Sequence, residues 1–136
     1  MSYSIGIDYG TASGRVFLVD TSNGEIISTY IKAYPHGTIS GSLNGRDLPH
    51  NYFLQHAEDY TKILEEGVQH VLKDGNVDPS SIIGIGVDFT SCTIAFLDND
   101  FKSLHTHENL KDNPHAYVKL WKHHGAQEEA TFMKEV

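Results

Sequence analysis

Apolar and polar residues alternate along the first quarter of the chain, which predicts short β-strands separated by turns. Strands are expected over residues 3–9, 15–20 and 25–33. Small residues at 10–14 suit the first connecting turn, and Asn23-Gly24 suits the second because Asn-Gly is a strong hairpin signal. Three strands joined in this way form an antiparallel meander.

The apolar period changes after a loop-like stretch at residues 35–49. Apolar residues recur at spacings of three and four over residues 52–73, which predicts an amphipathic helix. Gly75 is expected to end this helix.

Two further strands and two further helices are predicted in the second half of the chain. A nearly continuous apolar run at residues 82–87 is typical of a buried strand, and a turn near Ser91 leads to a strand at 93–97. Asn113-Pro114 has the form of an N-cap followed by proline at the first helical position, so residues 113–124 are expected to be helical. Residues 127–136 begin another helical pattern, and we expect the natural protein to continue beyond it.

The order of these elements indicates an α/β fold with a mixed sheet and flanking helices. Three antiparallel strands, a helix crossover and a further strand resemble the ribonuclease H-like core that actin, the Hsp70 ATPase domain and sugar kinases share. A chain of 136 residues suits one domain of this kind.

The charge and composition exclude several classes of partner. The 18 acidic and 10 basic residues give a formal charge of −8, which disfavours nucleic acid because such binding normally needs a basic surface. The sequence contains no apolar run long enough to span a bilayer and no signal-peptide pattern. Its single cysteine, Cys92, permits no internal disulfide. We therefore expect a cytoplasmic globular protein with no membrane contact.

The turn at residues 10–14 carries the most informative chemistry. A phosphate group needs several N–H donors aimed at one point without bulky side chains, and the run Gly-Thr-Ala-Ser-Gly supplies them. Asp8, at the end of the first strand, is placed to hold Mg²⁺ through water. Arg15 offers either positive charge to the phosphate or an ion pair within the protein. Spacing alone leaves a plainer interpretation open, namely an ordinary hairpin turn with an incidental aspartate.

Three segments together carry a more specific resemblance. They are IGIDYGTASGR at residues 5–15, GVDFTSCT at 86–93 and LKDNPHAYVKLWKHH at 110–124. In this order they resemble the FGGY carbohydrate kinases and, among these, the ribulokinase branch. Three ordered matches are far more specific than any single motif.

The resemblance implies a two-domain kinase, several times longer than this chain, that uses ATP and Mg²⁺ to phosphorylate L-ribulose in L-arabinose catabolism. Residues 1–136 correspond in this interpretation to the N-terminal part of the first domain, so that domain is incomplete and the nucleotide-binding second domain is absent. Contacts to ATP are expected from the first motif, at Asp8, Gly10, Thr11, Ala12, Ser13 and Arg15, with Asp8 as the metal ligand. Contacts to the sugar are expected from Ser91, Cys92 and Trp121.

The resemblance also implies what this chain lacks. The catalytic base of these kinases is an aspartate from a later part of the first domain, and Asp88 is interpreted as a supporting carboxylate instead. We therefore expect the chain alone to be inactive, and apolar surface left by missing strands favours self-association. The alternative is a non-catalytic nucleotide- or partner-binding module of the actin-like superfamily, which would keep the phosphate hairpin without a sugar pocket.

Overall fold

The computed structural model describes residues 1–135, which fold into two compact units. Unit 1 comprises residues 1–37 and 57–91, and unit 2 comprises residues 38–56 and the chain from Cys92 onward. The helices and strands, in chain order, are β1 (Tyr3–Tyr9), β2 (Ser13–Asp20), β3 (Ile26–Ala33), β4 (Ser42–Leu43), β5 (Arg46–Asp47), β6 (Leu54–Gln55), α1 (Ala57–Asp74), β7 (Ile82–Phe89), β8 (Val118–Lys119) and α2 (Gln127–Glu135). Three short 3₁₀ helices lie at Pro79–Ser81, Leu104–Thr106 and Pro114–Ala116.

Unit 1 is built on a four-stranded mixed sheet in the order β3-β2-β1-β7. The first three strands form the predicted antiparallel meander, and β7 lies parallel to β1 after the crossover through α1. Asn23-Gly24 occupies the predicted second turn, where Gly24 has a φ of 77° and its amide donates to Asp20 O at 2.8 Å. The predicted α/β fold with a mixed sheet is thereby confirmed.

Helix α1 packs on one face of this sheet and forms the core of unit 1. Ile5 and Ile7 of β1 and Val16 and Leu18 of β2 are buried on that face, against Ile63 and Val71 of the helix. Gly67 lets the helix approach closely, because a Cβ there would lie 2.4 Å from Val16 Cγ2. Burial of these apolar side chains is the main favourable contribution to the stability of the unit.

Replacing Gly67 by alanine is expected to destabilise the chain by about 1–2 kcal/mol, since overpacking outweighs the gain in helix propensity. Val16 is fully buried, so it cannot move aside without disturbing the sheet. Urea unfolding followed by circular dichroism measures the effect. Gly84→Ala serves as the control, because a Cβ at Gly84 meets no atom within 4 Å. An unfolding midpoint of Gly67→Ala at or above that of the unmodified chain would contradict this packing.

Strand β7 differs from its predicted burial. Ile85 is 60% exposed and Val87 is 54% exposed, because α1 covers the strands from β1 to β3 and β7 forms the sheet edge. The outer face of β2 is also only half-buried at Phe17. The apolar run at residues 82–87 therefore predicted the strand β7 correctly, but it predicted the burial of that strand wrongly.

The predicted helix over residues 52–73 begins later, at Ala57. Leu54 and Gln55 instead form β6, where both are buried and pair with β8. The predicted end is confirmed, since α1 stops at Asp74, although Asn76, with a φ of 50°, takes the left-handed conformation after the helix.

Two predictions in unit 2 are wrong. Residues 113–124 form one 3₁₀ turn, capped by Asn113 through a hydrogen bond from the His115 amide at 3.0 Å, and then the extended strand β8. Residues 93–97 form isolated bridges instead of a strand, including one between Ile94 and Lys119. Backbone pairing between distant segments outweighs the local pattern in both places. The predicted helix over residues 127–136 is confirmed as α2 over Gln127–Glu135, and residue 136 lies outside the described residues.

Unit 2 also contains a hairpin inside the stretch predicted as loop. Strands β4 and β5 pair around Asn44 and Gly45, whose φ angles of 49° and 81° suit the tight turn that Asn-Gly favours. Leu43 then packs with Leu54 and Tyr117 in a small core. Within residues 1–135, neither helix is long and apolar enough to cross a membrane.

Candidate phosphate-binding site

The small-residue run after β1 forms a hairpin turn, as predicted. The Gly10 amide donates to Ser13 O at 3.0 Å and closes the turn. A Cβ at Gly10 would lie 3.1 Å from the same oxygen, so a small residue fits best there. The Gly10 amide therefore serves the hairpin itself, which leaves Thr11, Ala12 and Ser13 as the residues of this turn predicted to contact phosphate.

Gly14 has a structural role that the sequence did not reveal. This residue is buried, and a Cβ on it would lie 2.6 Å from Ile63 Cγ2 of α1. Its small size thus allows the helix to pack against the base of the hairpin. The local sequence indicates only a turn residue at Gly14, because the residue that it meets lies far along the chain.

Asp8 and Arg15 face each other across β1 and β2 and form an ion pair. Arg15 Nη1 donates to Asp8 Oδ2 at 3.1 Å, and both side chains are partly exposed. Of the two roles predicted for Arg15, the structure contains the ion pair. This pair also orients the Asp8 carboxylate at the end of β1.

A second carboxylate lies beside Asp8. The parallel register of β1 and β7 places Asp88 next to Asp8, and Gly86 next to Gly6. These four residues and Phe17 line a groove with a volume of about 340 Å³ on the sheet face opposite α1. Because the two glycines have no side chains, the floor of the groove is backbone.

The residues around Asp8 fit a hydrated Mg²⁺ ion. Mg²⁺ usually retains several waters and binds through one or two carboxylates, and the Asp8 side chain is 32% exposed at the groove. The Asp88 carboxylate accepts the Phe89 amide at 2.9 Å and is itself exposed, which suits its predicted supporting role.

The residues predicted to contact sugar are all exposed. Ser91 is the last residue of unit 1, whereas Cys92 and Trp121 belong to unit 2. Cys92 has a φ of 59°, an uncommon conformation for a residue with a side chain. Trp121 is 51% exposed and lies in a turn after β8, not on the predicted helix.

The segment around Trp121 has an aromatic and basic environment that sequence reasoning missed. The Tyr52 ring lies 4.5 Å from the His123 ring, and Lys119 Nζ lies 5.5 Å from the Tyr52 ring centre. Burial lowers the pKa of Lys119 to about 8. Burial, followed by the nearby Lys119 charge, also lowers the pKa of His123, whose Nδ1 accepts the Phe53 amide at 3.2 Å. These contacts join residues 52–53 to residues 119–123, which are distant in the sequence, so no local sequence pattern predicts them.

Comparisons with known proteins agree with the three sequence motifs. The chain matches no protein-family model. It is 82% identical to ribulokinase 1 of Staphylococcus saprophyticus over 136 residues, which are 100% of this chain and 25% of that protein. It is 66% identical to a ribulokinase of Staphylococcus epidermidis over 133 residues, 98% of this chain and 25% of that protein. The chain thus spans about a quarter of the length of the curated relatives it matches.

Solved structures share the fold at lower sequence identity. A xyloylose kinase from Brucella ovis superposes with a TM-score of 0.73 at 17% identity, over 96% of this chain and 23% of that one. A xylulose kinase from Lactobacillus acidophilus superposes with a TM-score of 0.65 at 20% identity, over 99% of this chain and 23% of that one. The identity to the ribulokinases confirms the resemblance that the motifs indicated. The superpositions on the solved sugar kinases confirm the fold.

Proposed function

Because this chain resembles the ribulokinase branch of the FGGY carbohydrate kinases over its whole length, we propose that it is the N-terminal part of the first domain of a sugar kinase. The complete protein transfers the γ-phosphate of ATP to L-ribulose and gives L-ribulose 5-phosphate. Its partners are these two small molecules, and the lone Cys92 suits the reducing cytoplasm.

The hairpin between β1 and β2 is the observation that supports phosphate handling. It places the small residues Thr11, Ala12 and Ser13 shortly after β1, whose second-last residue is the partly exposed Asp8. Backbone and hydroxyl donors there bind the transferred phosphoryl group, while Asp8 holds the metal through water. When bound there, Mg²⁺ would neutralise charge on the phosphates, which together with positioning is the main requirement of phosphoryl transfer.

Ser91, Cys92 and Trp121 are proposed to contact the sugar. Their exposure leaves them accessible to a ligand. The base that takes the proton of the sugar hydroxyl, and most of the adenosine site, are proposed to lie in the parts of the kinase outside this chain. The exposed apolar edge at β7 is consistent with self-association of the chain when it is expressed alone.

The hydroxyl groups of the hairpin provide the test of this function. In the full-length kinase, the double variant Thr11→Val, Ser13→Ala is expected to lower kcat/KM for ATP by about 10-fold or more, because hydrogen bonds to a charged phosphate are lost. Steady-state kinetics with varied ATP at saturating L-ribulose measure this change. Both substitutions keep the size of the side chains close to the original.

Ser22→Ala is the matched control. Its hydroxyl donates to Asp20 Oδ1 at 2.7 Å in the other hairpin of the meander, so the same chemical change occurs at the opposite end of β2. The control is expected to keep the kcat/KM for ATP. Equal kinetics for the double variant and the control would exclude the hydroxyl groups of Thr11 and Ser13 from the phosphate site.

A further inference from the structure

Tyr34 bonds to the phosphate hairpin at two points. Its hydroxyl donates to Gly10 O at 2.9 Å, and its backbone amide donates to Ala12 O at 3.0 Å. Tyr34 comes directly after β3, so one residue at the end of the meander is bonded to both sides of the turn between the first two strands. No local sequence pattern predicts this role for Tyr34.

These two bonds determine the orientation of two peptide groups in the hairpin. A peptide unit is planar and trans, so fixing the carbonyl of Gly10 also fixes the N–H of Thr11, which points the opposite way. In the same manner, the bond to Ala12 O fixes the N–H of Ser13. The two bonds from Tyr34 therefore set the directions of the Thr11 and Ser13 N–H groups, which are the donors that a phosphate requires.

The Tyr34 ring is held rigidly enough to serve as such a support. It is 4% exposed, and it packs edge-on against the Tyr60 ring of α1, with ring centres 5.3 Å apart. Tyr60 in turn packs against Tyr9, at 5.4 Å, and accepts the Tyr9 hydroxyl on its carbonyl oxygen. Burial raises the pKa of Tyr34, so its hydroxyl remains a protonated donor throughout the physiological pH range.

We propose that Tyr34 is a positioning residue that orients the hairpin donors of residues 11–13 toward the phosphoryl group of ATP. This inference rests on the proposed function. It extends that function to a buried residue that touches neither the nucleotide nor the sugar. The part that depends on the tyrosine side chain is the hydroxyl bond to Gly10 O, since the backbone bond to Ala12 O is kept in phenylalanine and the ring alone fills the same space.

The test compares Tyr34→Phe with Tyr30→Phe in the full-length kinase. Tyr30 lies in β3, four residues before Tyr34, and its hydroxyl donates to Glu66 Oε2 of α1 at 2.7 Å, so the control loses the same group away from the hairpin. Hydrogen–deuterium exchange without nucleotide reports on the hairpin itself. Tyr34→Phe is expected to speed exchange of the Gly10 amide about 10-fold, because the turn loses one of its supports, whereas Tyr30→Phe leaves it unchanged.

Kinetics provide the second measurement. Tyr34→Phe is expected to raise KM for ATP about 10-fold while KM for L-ribulose stays within twofold, and Tyr30→Phe is expected to change neither. A role in global stability alone would not separate the two KM values below the melting temperature.

The outcomes distinguish this inference from the proposed function. Unchanged exchange of the Gly10 amide in Tyr34→Phe overturns the positioning role, and the Thr11 and Ser13 variants still test the phosphate site independently. Faster exchange with an unchanged KM for ATP overturns it as well, because the hairpin would then loosen without consequence for the nucleotide. Faster exchange together with the selective rise in KM for ATP supports it.

Discussion

The 136-residue chain purified alone is expected to phosphorylate no L-ribulose, so that its kinase activity lies below the detection limit. It contains the hairpin and the Asp8 carboxylate, but about three quarters of the length of the relatives lies outside it. The proposed base and most of the adenosine site are in that remainder. Enzyme sites of this kind are completed by domain closure, which also excludes water from the reaction.

A coupled assay for ADP release, with L-ribulose and ATP both in excess, measures this loss. The full-length kinase, purified in the same way, serves as the positive control. The chain should be produced in a host that lacks its own ribulokinase, so that contamination cannot supply turnover. L-ribulose-dependent ADP release by the chain alone would show that the proposed division of the site is wrong.

Asp8→Asn is expected to lower the kcat of the full-length kinase by about 100-fold or more, as removal of one preorganised electrostatic group does in other active sites. The substitution keeps the size of the side chain and the possibility of a hydrogen bond to Arg15, but it removes the negative charge. Because this negative charge is proposed to hold the metal, the variant should also require more Mg²⁺ for half-maximal activity. A Mg²⁺ titration at fixed ATP measures both effects.

Asp88→Asn is the matched comparison for this prediction. Asp88 lies beside Asp8 in the register of the two parallel strands and lines the same groove, yet its proposed role is supporting. A smaller loss of kcat, with the Mg²⁺ requirement nearly unchanged, is therefore expected. If Asp8→Asn retained the original kcat and Mg²⁺ dependence, the metal would have to be held by other residues.

The glycines of the hairpin show how one residue type can serve two purposes. At Gly10 a small residue is needed because a Cβ there would lie 3.1 Å from Ser13 O within the turn. Gly14 is small because Ile63 of α1 occupies the adjacent space. Both glycines belong to the motif that resembles the kinases. Only the structure shows that Gly10 is restricted by the turn and Gly14 by the packing of α1.

The sequence by itself determined the meander, α1 as an element, β7 and the location of the hairpin that is proposed to bind phosphate. Alternation over β1 to β3, the Asn23-Gly24 turn and the three-to-four spacing in α1 are local signals, and a strand or helix forms largely from such neighbours. The three kinase-like motifs are also local strings of residues. Resemblance could therefore be recognised before any coordinates were known.

Only the tertiary structure decided which residues stay exposed and which segments pair. Residues 113–124 read as a helix from Asn113 and Pro114, yet Val118 and Lys119 pair with β6 instead. The exposure of β7 and the two bonds from Tyr34 to the hairpin likewise depend on contacts between distant segments. A periodic pattern records which faces are apolar, but the partner of each face is determined by the free energy of the whole fold.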